Sequence, residues 1–152
     1  MPTNYQDVFD DSFDTFKVFD NLKLNETGQY LDSPKSIWQI LNHLIKWQGY
    51  QLAQLQNMEI DIAIDEDATW IESNNAESQD ALNGLVKVFA GQMNTIKTVI
   101  EHLNEIEPFL YQKLKIVQDL SVHLSFHVGE VILMRRMAGN YPLPHQMKDF
   151  LT

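Results

Sequence analysis

Apolar residues recur every three or four positions in four stretches of the chain, which is the spacing of amphipathic α-helices. In the first stretch, from about Asn4 to Leu22, four aromatic rings share one face: Phe9, Phe13, Phe16 and Phe19. Aspartates occupy the other faces of this stretch. We therefore predict an amphipathic helix over residues 4–22.

The second stretch opens with a helix-start signal, in which Ser33 is the predicted N-cap and Pro34 takes the first helical position. Its apolar side holds Ile37, Ile40, Leu41, Leu44, Ile45, Leu52 and Leu55. This pattern predicts a second helix that ends near Asn57.

Two further helices are predicted in the second half of the chain, one from about Glu77 to Leu103 and one from about Val117 to Ala138. Pro108 separates them, and Gly139 followed by Pro142 ends the last one. The tail beyond Pro142 is predicted to be non-helical.

The segment between Glu59 and Asn75 is acidic and is predicted to be a loop, although Ile60–Asp65 alternates as a short strand would. Its cluster at residues 65–67 lacks the alternating oxygen ligands and the turn glycine of an EF-hand. Solvated carboxylates are expected there rather than calcium ligands. Trp70, in the same loop, can fold back over the helices.

Together the four stretches predict one all-α domain over residues 1–152, folded as an antiparallel four-helix bundle. The chain has no cysteine, so any metal site must use histidines and carboxylates. A net charge of −10, with scattered basic residues, argues against a nucleic-acid partner. With no signal-peptide pattern at the N-terminus and no apolar run long enough to cross a bilayer, we expect a cytoplasmic protein without membrane contact.

His123 and His127 lie four residues apart in the last predicted helix, so their rings project from one face and can bind one metal ion. Two buried imidazoles need polar partners, and a shared cation supplies both. A third ligand is either Glu130, on the same strip, or His43, which is predicted at the rim of the second helix's apolar face. Spacing does not choose between them. A single histidine on an apolar face is more often a hydrogen-bonded core residue.

The spacing His-x-x-x-His also occurs in zinc proteases, where a glutamate follows the first histidine. Here that position is Leu124, so the general base of that class is missing. His102, near the end of the third predicted helix, and His145, in the tail, are assigned to no site.

Three motifs occur together along the chain: Ser33-Pro34 ahead of Leu41-Asn42-His43-Leu44, then His123-x-x-x-His127-x-Gly129, then Arg135-Arg136-Met137-Ala138-Gly139. With them nearly the whole chain resembles the DinB-like (DinB/YfiT-like) metalloenzyme family of four-helix bundles. The resemblance implies that His43, His123 and His127 bind a divalent metal, commonly zinc or nickel, and that the protein forms a homodimer.

The chain departs from the family motif at two positions, where Val128 replaces an arginine and Glu130 a glutamine. Glu130 can be a fourth ligand, a hydrogen-bond acceptor for a ligand, a general base or an ordinary solvated glutamate. Characterised family members include transferases and isomerases that use low-molecular-weight thiols such as bacillithiol or mycothiol, and others are taken to be hydrolases.

The resemblance therefore implies a metal-dependent enzyme of the thiol S-transferase or hydrolase type, which activates water or a thiol and acts on a small molecule. The alternative is a non-catalytic dimeric binding or stress-response module with a structural or vestigial metal site. Its support is a second apolar strip in the last helix, formed by Val122, Phe126 and Leu133, which suits either a dimer interface or the monomer's core.

Overall fold

A computed structural model describes residues 3–59 and 63–152, and within these ranges the chain is helical and contains no strand. The α-helices are α1 (Tyr5–Phe9), α2 (Ile37–Gln56), α3 (Gln79–His102), α4 (Leu110–Met137) and α5 (Met147–Leu151). Single 3-10 turns occur at Leu24–Glu26, Asp67–Thr69 and Pro144–Gln146. No helix of this described part combines the length and the apolar character that crossing a membrane requires. The prediction of an all-α fold is confirmed.

Three long helices build the core, and α2 is the central one because it packs against both α3 and α4. Their fully buried side chains include Ile40, Leu41, Leu44, Leu82, Ile96, Leu120 and Leu124. Burial of this apolar surface is the main force that holds the helices together. The predicted end of α2 near Asn57 and both predicted ends of α3 are confirmed to within two residues.

The first predicted helix is wrong beyond Phe9, although its rings Phe13 and Phe19 do lie in the core. Asp14 accepts a hydrogen bond from the Phe16 backbone N–H at 2.8 Å, which gives the chain a local alternative to a helix. Phe16 itself has φ 52°, a left-handed conformation that interrupts an α-helix, and it is partly exposed.

A long-range contact also favours the irregular backbone of this segment. Arg135 in α4 donates from Nη1 to the Val18 carbonyl oxygen at 2.6 Å, and Tyr141 donates its hydroxyl to the Phe16 carbonyl oxygen. In a helix these carbonyls would be occupied by amides four residues on. The aromatic spacing therefore predicts which rings are buried but not the backbone that buries them.

The start of α2 lies later than predicted, because Ser36 rather than Ser33 is the N-cap. Ser36 Oγ accepts from the Gln39 N–H at 3.1 Å, and the Gln39 side chain accepts from the Ser36 N–H at 3.0 Å. This reciprocal capping box satisfies two amides at once. Ser33 instead accepts from the Tyr30 N–H and donates to the Lys35 carbonyl oxygen.

The last predicted helix differs from the structure at its start and agrees with it at its end. The helix begins at Leu110, well before the predicted Val117; no residue from 110 to 116 is fully buried, although Leu114 and Ile116 pack against the core. Its C-terminus before Gly139, with φ 78°, is as predicted. The non-helical tail is wrong: Pro144 opens a 3-10 turn that leads into α5, and proline is favoured in a first turn.

The acidic loop is confirmed where it is described, since residues 63–66 contain no strand and residues 65–67 are exposed. The alternating residues Ile60, Asp61 and Ile62 lie outside the described residues.

Candidate metal centre

Three histidines from two helices converge at one place on the side of the bundle. One ring nitrogen of each of His43 in α2 and His123 and His127 in α4 lies within 4.8 Å of the other two. The Nε2 atoms of His43 and His123 are 3.1 Å apart. Zinc–nitrogen bonds of 2.0–2.1 Å place two tetrahedral ligands about 3.3 Å apart, so this separation is close to that of two ligands of one ion. The three histidines can hold a metal ion.

His43 is buried, with 2% of its surface exposed, and the prediction that it lies at a rim is wrong. Trp70 folds back as predicted and stacks on the His43 ring, with centroids 3.8 Å apart and planes 7° apart. His127 is also buried, whereas His123 is partly exposed. A projection of α2 alone places His43 at an edge because it does not include the loop that covers that edge.

Burial keeps the imidazoles of His43 and His123 neutral near pH 7. It lowers the pKa of His43 to about 3, and charge repulsion from His123 and His127 adds to this effect. Burial also lowers the pKa of His123 to about 4, again with a contribution from His127. Neutral imidazoles retain the nitrogen lone pair that a metal ion requires.

Two side-chain oxygens form hydrogen bonds with the Nδ1 atoms of His43 and His127. Glu130 Oε2 accepts from His127 Nδ1 at 2.6 Å, and Thr69 Oγ1 lies 2.7 Å from His43 Nδ1. Of the roles open to Glu130, its geometry here is that of a hydrogen-bond acceptor for a ligand. Thr69 was missed from the sequence, because nothing in an acidic loop marks one threonine as the neighbour of a histidine in α2.

His123 differs from its two neighbours. Its Nδ1 is buried and has no hydrogen-bond partner among the residues that the structure describes. The three ring centroids lie 4.7–5.0 Å from one another, and the His43 ring also stacks on Trp70. One ring nitrogen of each imidazole thus meets the other two, and nitrogens gathered in this way fit a shared cation well.

A groove of about 400 Å³ adjoins the cluster at Glu130, between the segment 30–35 and the C-terminal half of α4. Its apolar lining includes Pro34, Ile40, Leu133 and Met134. This volume is in the range of small-molecule sites.

The remaining candidates are not part of the histidine cluster, although the Phe126 ring packs edge-on against His127, with centroids 5.0 Å apart. His102 and His145 are exposed and take no part in it. Val122, Phe126 and Leu133 are 64%, 64% and 59% exposed, so this second apolar strip of α4 is not part of the monomer's core. Its use as a dimer interface stays a prediction.

The chain matches no protein-family model, no curated protein and no solved structure. The resemblance to the DinB-like family therefore depends on the motifs themselves and on the histidine cluster.

Proposed function

We propose that the chain is a divalent-metal-dependent enzyme of the DinB-like type, a thiol S-transferase or hydrolase whose ion is held by His43, His123 and His127. The observation that carries this proposal is the cluster of three imidazoles, with two Nε2 atoms 3.1 Å apart. A zinc or nickel ion bound there would lower the pKa of a bound water or thiol and supply a nucleophile near neutral pH.

The chain's own residues would orient the ligands and receive the substrate. Glu130 Oε2 accepts a hydrogen bond from His127 Nδ1 and so restricts rotation of that ring. Glu130 also lines the groove, which makes it our candidate for the general base toward a molecule bound there. The apolar wall of the groove suits the apolar part of a small substrate.

Elemental analysis of untagged protein purified without chelator tests the metal site. Native protein and a His102→Ala control, altered at an exposed histidine outside the cluster, should carry near-stoichiometric metal. His123→Ala should carry almost none. The absence of metal from native protein, even after reconstitution with zinc and nickel, would overturn the proposal. Metal-loaded native protein then enters thiol-transfer and hydrolysis assays.

The non-catalytic dimeric module is the second candidate, and the exposed strip of Val122, Phe126 and Leu133 favours it. Light scattering at micromolar concentration should give a dimer for native protein and for Val88→Lys, a matched change at an exposed valine of α3. Val122→Lys should give a monomer, because a buried lysine would oppose association. A native monomer would remove the interface. A dimer that binds no metal would favour the module over the enzyme.

A further inference from the structure

We infer that Thr69 is a positioning residue of the metal centre, whose hydroxyl sets the tautomer of His43 so that Nε2 carries the free lone pair. The inference rests on the proposed metal-dependent function. It also makes a claim about the metal-free protein that can be tested by itself.

The direction of the hydrogen bonds follows from their acceptors. Thr69 Oγ1 lies 2.5 Å from the Glu66 carbonyl oxygen, which can only accept, so the hydroxyl proton points there. The same Oγ1 lies 2.7 Å from His43 Nδ1 and must therefore accept from it. Neutral His43 consequently carries its proton on Nδ1 and presents a bare Nε2.

The tautomer of His127 is set in the same way, by the carboxylate of Glu130. The Glu130 carboxylate accepts from His127 Nδ1, which leaves Nε2 as the available nitrogen of the neutral ring. One hydroxyl and one carboxylate thus prepare two of the three histidines before any ion arrives.

His123 is the histidine whose ring proton must move to the other nitrogen when an ion binds. His43 Nε2 and His123 Nε2 are 3.1 Å apart. Since His43 Nε2 carries a lone pair, His123 Nε2–H must donate a hydrogen bond to it in the metal-free protein. This agrees with the His123 Nδ1 atom, which has no hydrogen-bond partner in the described part of the chain. Binding of an ion to both Nε2 atoms would require the His123 proton to leave Nε2 and a proton to take up Nδ1, exchanged through solvent. The proton count stays unchanged.

The position of Thr69 is held by α2 itself. Gln39 Nε2 donates to the Ile71 carbonyl oxygen at 3.0 Å, and Lys46 Nζ donates to the Ala68 carbonyl oxygen at 3.0 Å. Gln39, His43 and Lys46 are spaced by four and three residues and so lie on one strip of the helix. The loop is thereby fastened on both sides of Thr69, which is 2% exposed.

Nitrogen-15 NMR of the histidine rings in metal-free protein tests the inference without a metal. Native protein should show His43 protonated on Nδ1 and His123 on Nε2, and zinc should change the tautomer of His123 alone. Native His43 protonated on Nε2 would overturn the inference, and this measurement needs no variant.

Thr69→Val removes the hydroxyl with almost no change of shape, and Thr69→Ser retains it. In Thr69→Val, His43 should lose its preference for the Nδ1 proton, and zinc affinity measured against a competing chelator should fall 10- to 100-fold. Thr69→Ser should behave like native protein in both. Native-like zinc affinity in Thr69→Val would overturn the role of Thr69. Failure of native protein to bind either zinc or nickel would instead overturn the proposed function.

Discussion

Two groups of buried polar side chains in α4 contrast sharply: the guanidinium of Arg135 and the histidine cluster. Arg135 donates to the carbonyl oxygens of Val18, Asp20 and Asn140 and to Asn140 Oδ1, at 2.6, 3.5, 3.1 and 3.0 Å. The three imidazoles, in contrast, bring ring nitrogens within 4.8 Å of one another, and His123 Nδ1 has no hydrogen-bond partner in the described part of the chain. The guanidinium is supplied with acceptors, whereas the histidines have an arrangement that could hold a metal ion.

The difference indicates separate roles for Arg135 and the histidines of α4. Arg135 binds backbone oxygens from residues 18–20 and 140, so it fastens the irregular N-terminal segment to the end of α4. We expect its loss to affect stability, because unpaired buried carbonyls are costly. Loss of a histidine should affect metal binding instead.

The largest effect is expected for Arg135→Met, which removes four hydrogen bonds, one of them to the buried Val18 carbonyl oxygen. We expect the unfolding free energy from urea denaturation to fall by about 3 kcal/mol. Arg136→Met, in which one hydrogen bond from Nε to the Pro142 carbonyl is lost, should cost about 1 kcal/mol. Folded Arg135→Met should still bind zinc like native protein. Loss of zinc binding without loss of stability would contradict the separation of the two groups.

The next effect concerns the binding of a cation to the histidine cluster. Zinc at a free concentration 100 times its Kd should raise the unfolding free energy of native protein by about 2.7 kcal/mol, because the ion binds the folded state alone. His127→Ala should gain nothing, and His145→Ala, altered at an exposed histidine of the tail, should gain as much as native protein. Paired urea titrations with and without zinc measure this. Equal stabilisation of His127→Ala would mean that zinc binds elsewhere, for example at the acidic surface.

The smallest effect is expected for Glu130→Gln. A neutral amide oxygen accepts more weakly than a carboxylate from His127 Nδ1, so zinc affinity should fall about tenfold in a chelator competition. The unfolding free energy of the metal-free protein should change by less than about 0.5 kcal/mol, because the side chain is partly exposed. Unchanged zinc affinity would make Glu130 an ordinary surface glutamate.

Features that depend on one segment could be predicted from the sequence. The periodicity of α2, α3 and α4 lies within each helix, and the histidines of α4 share a face because of helical spacing alone. The irregular backbone after Phe9 could not be predicted from periodicity, since one contact that favours it joins Val18 to Arg135, more than a hundred residues away. The role of Thr69 could not be predicted either, because its hydrogen-bond partner His43 belongs to another element.

Local signals also competed with one another at the start of α2. Ser33-Pro34 and Ser36 are both plausible starts, and the choice depends on whether a side chain three residues later completes the capping box. Gln39 does so for Ser36. Capping-box matches were therefore more informative here than a serine followed by proline.

The stacking of Trp70 on His43, with ring centroids 3.8 Å apart, has a practical consequence. If the cluster binds an ion, the excited indole of Trp70 would be in van der Waals contact with one of the ligands of that ion. Nickel, a paramagnetic ion, should then quench part of the tryptophan emission, whereas zinc should only shift it. Tryptophan fluorescence would thus report metal occupancy before any substrate is known.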